Sequence, residues 1–205
     1  MDRKISVYLC GAHCAGKTTL QQSLQRHPEF SKFGFKSQEE VARPLIKKRG
    51  LTPEQLRNPD VLFEFEKEIL QIQCTTEDNE IKECNGNYNR FLWDRGIIDP
   101  LGYTKAFVGE SEAEELFKVP HAKKMLSRWK EGKTCLVFMV KPEKEFIEFD
   151  GVRRECDIDE LMNLHYSMIS ILDQLSIKYS VINCRDLAQR TEQVIKEVKL
   201  HWFNQ

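Results

Sequence analysis

Ile5-Ser6-Val7-Tyr8-Leu9-Cys10 runs directly into Gly11-Ala12-His13-Cys14-Ala15-Gly16-Lys17-Thr18, and Leu20 and Leu24 follow at helical spacing. An apolar strand, a loop opened and closed by glycine, and Lys-Thr at the head of a helix make up the P-loop pattern. Each residue type has a physical reason to be there. Gly11 and Gly16 let the backbone turn inward without a Cβ clash, so that consecutive N–H groups converge on an anion. The helix that begins near Lys17 adds its positive end. Lys17 brings a compact, mobile ammonium to the outer phosphates, and the Thr18 hydroxyl suits a hydrated magnesium ion. Gly11, Ala12, His13, Cys14, Ala15, Gly16, Lys17 and Thr18, with Thr19 behind them, are therefore expected to hold a nucleoside triphosphate, ATP or GTP, with Mg2+.

The chain has 205 residues, enough for one α/β unit and too few for two full ones. Its 31 basic and 32 acidic side chains leave a net charge of −1, so no global field draws nucleic acid or an anionic membrane. Seven cysteines in an unpatterned scatter form no disulfide framework and suit a reducing compartment. The apolar run before the loop is too short for a secretory or membrane segment, so the expected location is cytoplasmic, away from membranes. No linker or repeat divides the sequence, and residues 1–205 are read as one domain.

Beyond the first helix, Pro28 is a stop, and Phe33-Gly34-Phe35 predicts the start of a short second strand. A helix is expected from Glu39 to Lys48, and Thr52-Pro53-Glu54-Gln55 has the pattern of a capping box. A long helix is predicted from Asn58-Pro59 toward Cys84, with Leu62, Phe65, Ile69 and Ile72 on one stripe, so that residues 53–84 form a helical insertion on the substrate side. Asn85-Gly86-Asn87 is read as a loop, and Phe91-Leu92-Trp93 as a strand ending at Asp94-Arg95-Gly96. Ser111 with Glu114 predicts the next helix start, broken at Pro120 and closed near Gly132. Cys135 to Val140 is the most continuous apolar run, as a central parallel strand requires. Asp157 with Glu160 predicts a helix start, Tyr179 to Ile182 a last strand, and the final helix turns Leu187, Val194, Ile195, Val198 and Trp202 inward. Alternating strands and helices predict an α/β three-layer sandwich with a mostly parallel central sheet and ligand loops at the carboxyl ends of its strands.

Several side chains then fall at the ligand edge. Asp94 is delivered there by a strand, either to hold magnesium or to take a proton from an attacking hydroxyl. Arg95 beside it has the planar fork for phosphate or polar acceptor oxygens. Glu40 and Arg43, one helical turn apart, are read on one face beside the acceptor. Arg153 and Arg154 fall in residues 142–157, where a mobile lid would close, and at least one is expected to stabilise charge on the transferred phosphoryl group. Cys10, His13 and Cys14 are not a zinc cluster, because side chains of a phosphate loop are expected to splay outward and no second Cys–His pair follows.

Together these residues resemble the AAA-type P-loop ATPase/kinase family that includes the kinase domain of bacterial nicotinamide riboside kinases. The resemblance rests on residues 11–18 with Thr19-Leu20, then Glu40-Val41-Ala42-Arg43, then Trp93-Asp94-Arg95-Gly96 with Asp99 and Tyr103, and last Arg153 and Arg154. It implies a P-loop NTPase core and a magnesium-dependent phosphotransferase, with Lys17, Asp94, Arg153 and Arg154 catalytic, Thr18 and Asp94 at the metal, and Glu40, Arg43, Arg95 and Asp99 at the acceptor. The leading function is transfer of the γ-phosphoryl group to a small nucleoside-like or nucleotide-like acceptor. A nucleotide-hydrolysing switch is the second reading, although Asn183-Cys184-Arg185-Asp186 only echoes the guanine-reading Asn-Lys-x-Asp. A nucleic-acid 5′-hydroxyl kinase, using Lys47, Lys48 and Arg49 as a groove, is the third, and the balanced charge disfavours it. The acceptor, the choice between ATP and GTP, the acting lid arginine and the oligomeric state stay open.

Overall fold

A computed structural model describes residues 5–83, 90–148 and 150–203. Strands β1 (Ile5–Cys10), β2 (Lys36–Gln38), β3 (Arg90–Asp94), β4 (Cys135–Val140) and β5 (Ser180–Ile182) form one all-parallel sheet in the order β2-β3-β1-β4-β5. Val7 pairs with Leu92 on one side and Leu136 on the other, so β1 lies at the centre, and every residue of it is buried. That explains why β1 is a continuous apolar run and not an alternating one: both of its faces are covered.

The helices are α1 (Lys17–Arg26), α2 (Pro28–Ser31), α3 (Ala42–Arg49), α4 (Pro59–Glu83), α5 (Ile98–Phe107), α6 (Glu110–Lys118), α7 (Pro120–Glu131), α8 (Ile158–Gln174) and α9 (Leu187–Phe203). Ile5, Val7 and Leu9 face one way, packing with Leu20 and Leu24 of α1 and Val194 and Val198 of α9. Tyr8 and Cys10 face the other way, toward α4, α5, α7 and α8. A smaller apolar cluster joins α3 to α4 through Leu45, Ile46, Leu62, Phe65 and Ile69. The chain leaves β1 for α1 on one face, and leaves β3 and β4, on either side of β1, for helices on the opposite face. The diverging connections open a crevice at the carboxyl end of β1, where an open α/β sheet binds its ligand. Among the described residues no helix is long and apolar enough to cross a membrane.

The boundaries depart from the sequence reading in instructive ways. The second strand is Lys36–Gln38, because Phe33 and Phe35 join Phe30 in an aromatic cluster that also takes in Trp202. α3 begins at Ala42, leaving Glu40 in the connection ahead of it. Thr52 and Gln55 do exchange hydrogen bonds, at 2.9 and 3.2 Å, but they close a single 3₁₀ turn (Gln55–Arg57). The long helix spans Pro59–Glu83; Cys84 and the expected loop at Asn85-Gly86-Asn87 lie outside the described residues. α6 starts at Glu110 after Gly109, with no side-chain cap, and Leu187 is 38% exposed at the start of α9 instead of inward. The box of Asp157 and Glu160 is complete in both directions at the head of α8, a cap worth about 1 kcal/mol. Helix α5, between Arg95 and the predicted start at Ser111, had no signal in the sequence reading, and it carries much of the site.

Candidate active site

The phosphate loop divides into two halves. Gly11, at φ 139°, brings its Cα so close to β4 that a Cβ would lie 2.5 Å from the Val140 carbonyl oxygen. Its N–H donates to Asp99 Oδ1 at 3.2 Å, and the His13 N–H donates to the Tyr103 hydroxyl at 3.0 Å, so the front half is tied to α5. The N–H groups of Cys14, Ala15 and Gly16 have no acceptor among the described residues. Cys14 is held at φ 58° and Gly16 at φ 83°, and this left-handed backbone turns consecutive N–H groups into a concave nest for an anion at the head of α1.

Lys17 is 4% exposed, and its ammonium donates to the carbonyls of Gly11 at 2.8 Å and Ala12 at 2.6 Å. These oxygens are neutral, and burial, joined by repulsion from Arg95, outweighs the attraction of the more distant Asp99, Asp94 and Glu40 and pulls its pKa down to about 8. A bound triphosphate adds negative charge beside it and favours the protonated form. Nucleotide affinity is therefore expected to be constant from pH 7 to 8 and to fall up to tenfold per unit above about 8. Titration calorimetry with an ATP analogue between pH 7 and 9.5 checks this; a flat profile overturns the assignment.

His13 does not splay outward: it is 4% exposed, its Nδ1 lies 2.7 Å from the Tyr103 hydroxyl, and burial with nearby Arg153 lowers its pKa to about 3. It packs as a neutral ring, because α5 closes over the loop. Ala12 and Ala15 are also buried, Cys14 is half-buried, and Thr19 is exposed on α1.

Thr18 Oγ1 donates to Asp94 Oδ2 at 2.5 Å, which brings the two proposed metal ligands together. Asp94 is 4% exposed, Oδ1 has no hydrogen-bond partner, and burial raises its carboxyl above the ordinary range. Arg95 stands at φ 84°, a conformation that costs a bulky residue about 1–3 kcal/mol and marks functional sites. Its guanidinium lies 3.4 Å from Glu40 Oε2 and 3.2 Å from Asp99 Oδ1, over the Tyr103 ring. At Gly96 the Trp129 ring is close enough that a Cβ would meet it at 2.6 Å, which accounts for the glycine. Asp99 also accepts from Gly96 N at 2.9 Å, so this one carboxylate joins the β1 and β3 loops, and little of it is left for a ligand. Burial works to raise the Glu40 carboxyl, but Arg95, Lys17, Arg153 and Arg43 outweigh it and hold Glu40 at about 2, with Arg43 Nε 3.9 Å from Oε1.

Two cavities meet here. The larger, about 490 Å³, is lined by residues of the phosphate loop with Glu40, Arg43, Phe146, Arg153 and Arg190. The smaller, about 40 Å³, is lined by Ile46, Leu56, Phe65, Glu66, Arg95 and Tyr103, and both Arg153 and Arg154 border it. The adjacent arginines diverge. Arg153 bonds Asp150 at 3.0 Å, approaches Cys14 Sγ at 4.0 Å and borders both cavities. Arg154 bonds Glu160 at 2.9 Å and lies over Phe107 at 4.2 Å, and it borders the smaller cavity but not the larger one. Arg43 reaches Asp150 at 3.3 Å, linking α3 to the segment that carries the arginines. Lys47, Lys48 and Arg49 close α3 on an exposed turn, and Arg49 is paired with Glu68 at 2.7 Å.

Arg190 and Glu66 were not singled out from sequence. Arg190 is 2% exposed, donates to the Ala15 carbonyl at 2.8 Å and the Cys184 carbonyl at 2.5 Å, and lies 4.9 Å from the Phe146 ring. It fixes the back of the phosphate loop to α9, and nothing in the apolar spacing of that helix marks it.

A family model described as an AAA domain matches residues 6–190. The chain belongs to the AAA-domain family. Among solved structures this AAA domain is similar to the NadR protein in complex with NR, with TM-score 0.68 at 15% identity over 97% of this chain and 50% of that one. The chain thus spans about half the length of that protein. It is also similar to deoxyadenosine kinase from M. mycoides with the products dCMP and a flexible dCDP bound, TM-score 0.60 at 13% identity over 96% and 98% of the chains. Shikimate kinase from Acinetobacter baumannii in complex with shikimate gives TM-score 0.50 at 15% identity over 98% and 95%. At these identities the likeness is one of fold, the P-loop α/β sandwich. A comparison with curated protein sequences returned no match.

Proposed function

We propose that this AAA domain is a P-loop kinase, formed as one domain over residues 1–205, that moves the γ-phosphoryl group of ATP or GTP to a small nucleoside-like or nucleotide-like acceptor. The observation that carries the reading is Arg153, which borders both the phosphate-loop cavity and the smaller apolar cavity at the same time. A hydrolysing switch has no need of a second, apolar cavity opening beside the phosphates. Both cavities are lined by chemistry suited to their halves of the reaction, N–H groups and cations in one and apolar walls in the other.

Mg2+ fits the donor set beside the loop: the hydroxyl of Thr18, an exposed residue bonded to Asp94 Oδ2, and the unbonded Oδ1 of the buried Asp94 are hard oxygens. Thr18 and Asp94 would hold the ion, which supplies charge neutralisation for the outer phosphates. Lys17 and the N–H nest orient the triphosphate. Glu40, anionic at any working pH, accepts a hydrogen bond from the acceptor hydroxyl. As the acceptor oxygen bonds to the γ-phosphorus and the bond to the bridging oxygen breaks, the hydroxyl proton passes to Glu40. A base this weak takes the proton late, which a loose phosphoryl-transfer transition state tolerates. Arg95 positions Glu40, Asp99 positions Arg95, and residues 142–157 act as a lid that brings Arg153 to the transferred group.

The test is a phosphotransfer screen with Mg2+ and ATP or GTP against nucleosides, nucleotides, nicotinamide riboside, shikimate and 5′-hydroxyl oligonucleotides. Turnover of a small acceptor is expected. Nucleotide hydrolysis with no acceptor product, or activity confined to oligonucleotides, overturns the reading.

A further inference from the structure

Glu66 projects from α4 into the smaller cavity and is 4% exposed. The other charged groups bordering that cavity are partnered: Arg95 with Glu40 and Asp99, Arg153 with Asp150, Arg154 with Glu160. Glu66 has neither a hydrogen bond nor an ion pair among the described residues; it lines the cavity with Ile46, Leu56 and Phe65, and with Arg95 and Asp99, which act on it only through space. Burial pushes its carboxyl well above the ordinary range. Burying a carboxyl without a hydrogen-bonding partner costs about 1–3 kcal/mol or more, and the wall of this cavity gives Glu66 no such partner. A carboxyl so placed is satisfied by a ligand that brings it one.

We propose that Glu66 selects the acceptor, by receiving an N–H donor or a positive charge carried by a nitrogen heterocycle that lies between the aliphatic walls and Phe65. A donor or positive charge at that edge draws the carboxyl, whose protonated form burial otherwise favours, into its ionised form, and a ring with a negative charge there is rejected. The proposal rests on the phosphotransfer reading and names the class of acceptor within it. The cavity of about 40 Å³ is smaller than such a ring, so entry moves Arg153 and Arg154 outward, in keeping with a lid over residues 142–157.

The experiment pairs ribosides that differ at one ring edge, cytidine against uridine and adenosine against inosine, with nicotinamide riboside as the cationic ring, in wild type, Glu66→Gln and Glu66→Asp. Wild type is expected to favour the amino-bearing member of a pair, or the cation over uridine, by about tenfold or more in kcat/KM. In Glu66→Gln, which keeps the size but loses the charge and gains a donor, that preference shrinks to about threefold or less, through a higher KM for the favoured riboside at unchanged kcat. Glu66→Asp, which keeps the charge, retains the preference in direction. An unaltered preference in Glu66→Gln overturns the proposal while leaving the kinase reading intact, as does a wild type without preference. If no riboside is phosphorylated, the kinase reading for ribosides fails, and binding decides on Glu66. Calorimetry with the N-methylnicotinamide cation then shows either binding that Glu66→Gln abolishes, in support, or no binding to wild type, which overturns it.

Discussion

Lys17→Met is expected to lower phosphotransfer by roughly a thousandfold or more, because it removes the one side-chain cation held inside the phosphate loop at the point where charge develops. The same substitution is expected to leave the melting temperature at pH 7 unchanged or higher. In the folded chain Lys17 holds its proton only up to about pH 8, against 10.5 for an ordinary lysine. The buried ammonium therefore costs stability in full below about pH 8, and that cost disappears as the pH rises from there to 10.5. Methionine fills the space without the charge. The two readouts, turnover and melting at pH 7 and 10, separate a ligand-facing lysine from a structural one. A melting temperature that drops sharply at pH 7 contradicts the assignment, as does nucleotide affinity equal to the parent's.

Arg153→Ala is expected to lower kcat by about a hundredfold or more while nucleotide affinity changes by less than about threefold, since a guanidinium aimed at developing charge acts in the transition state. Arg153→Lys restores only part of this, because an ammonium keeps the charge and loses the planar fork. Arg154→Ala is expected to act differently. Its partners are Glu160 and the Phe107 ring, so its loss loosens the wall of the acceptor cavity and raises the acceptor KM more than it lowers kcat. Steady-state kinetics of the three variants at saturating nucleotide make the comparison. If both alanine variants keep wild-type kcat and KM, the lid mechanism is wrong.

The phosphate loop was legible because its function is encoded locally: the conformations at Gly11 and Gly16 and the chemistry of Lys17 and Thr18 depend on residues within one short stretch. β1, β4 and the capped start of α8 were legible for the same reason, as a buried apolar run or a reciprocal cap needs no distant partner. Helix α5 was not. Ile98-Asp99-Pro100-Leu101-Gly102 has no one-sided apolar stripe and carries both proline and glycine, the two poorest helix formers. It is helical because it is packed against α8, where Gly102 admits the Met168 side chain so closely that a Cβ would lie 2.3 Å from it. β2 was misplaced because a short polar edge strand has no pattern of its own, while the aromatic residues beside it belong to the packing around Phe30.

Within the site, residue types were readable and their division of labour was not. Asp94 is readable from sequence as a metal ligand or a base; in the structure it accepts from Thr18, and Glu40 nearby pairs with Arg95 and Arg43, which is why we propose the metal role for the first and the base role for the second. Asp99 was read as a substrate contact; three of its hydrogen bonds go to Gly11, Gly96 and Arg95, which makes positioning the role we propose for it. Glu66 drew no notice because an acid in a helix is unremarkable in a sequence; only the missing partner distinguishes it, and a missing partner is a property of the packed chain.

The most direct test follows the label of [γ-32P]ATP during turnover with Mg2+, first alone and then with a riboside that serves as acceptor in the screen. The account predicts that label moves to the riboside at least about tenfold faster than it appears as free phosphate, and that Glu40→Gln and Arg153→Ala each suppress the transfer while the protein still binds nucleotide. Label released only as free phosphate, at a rate indifferent to every acceptor offered, contradicts it.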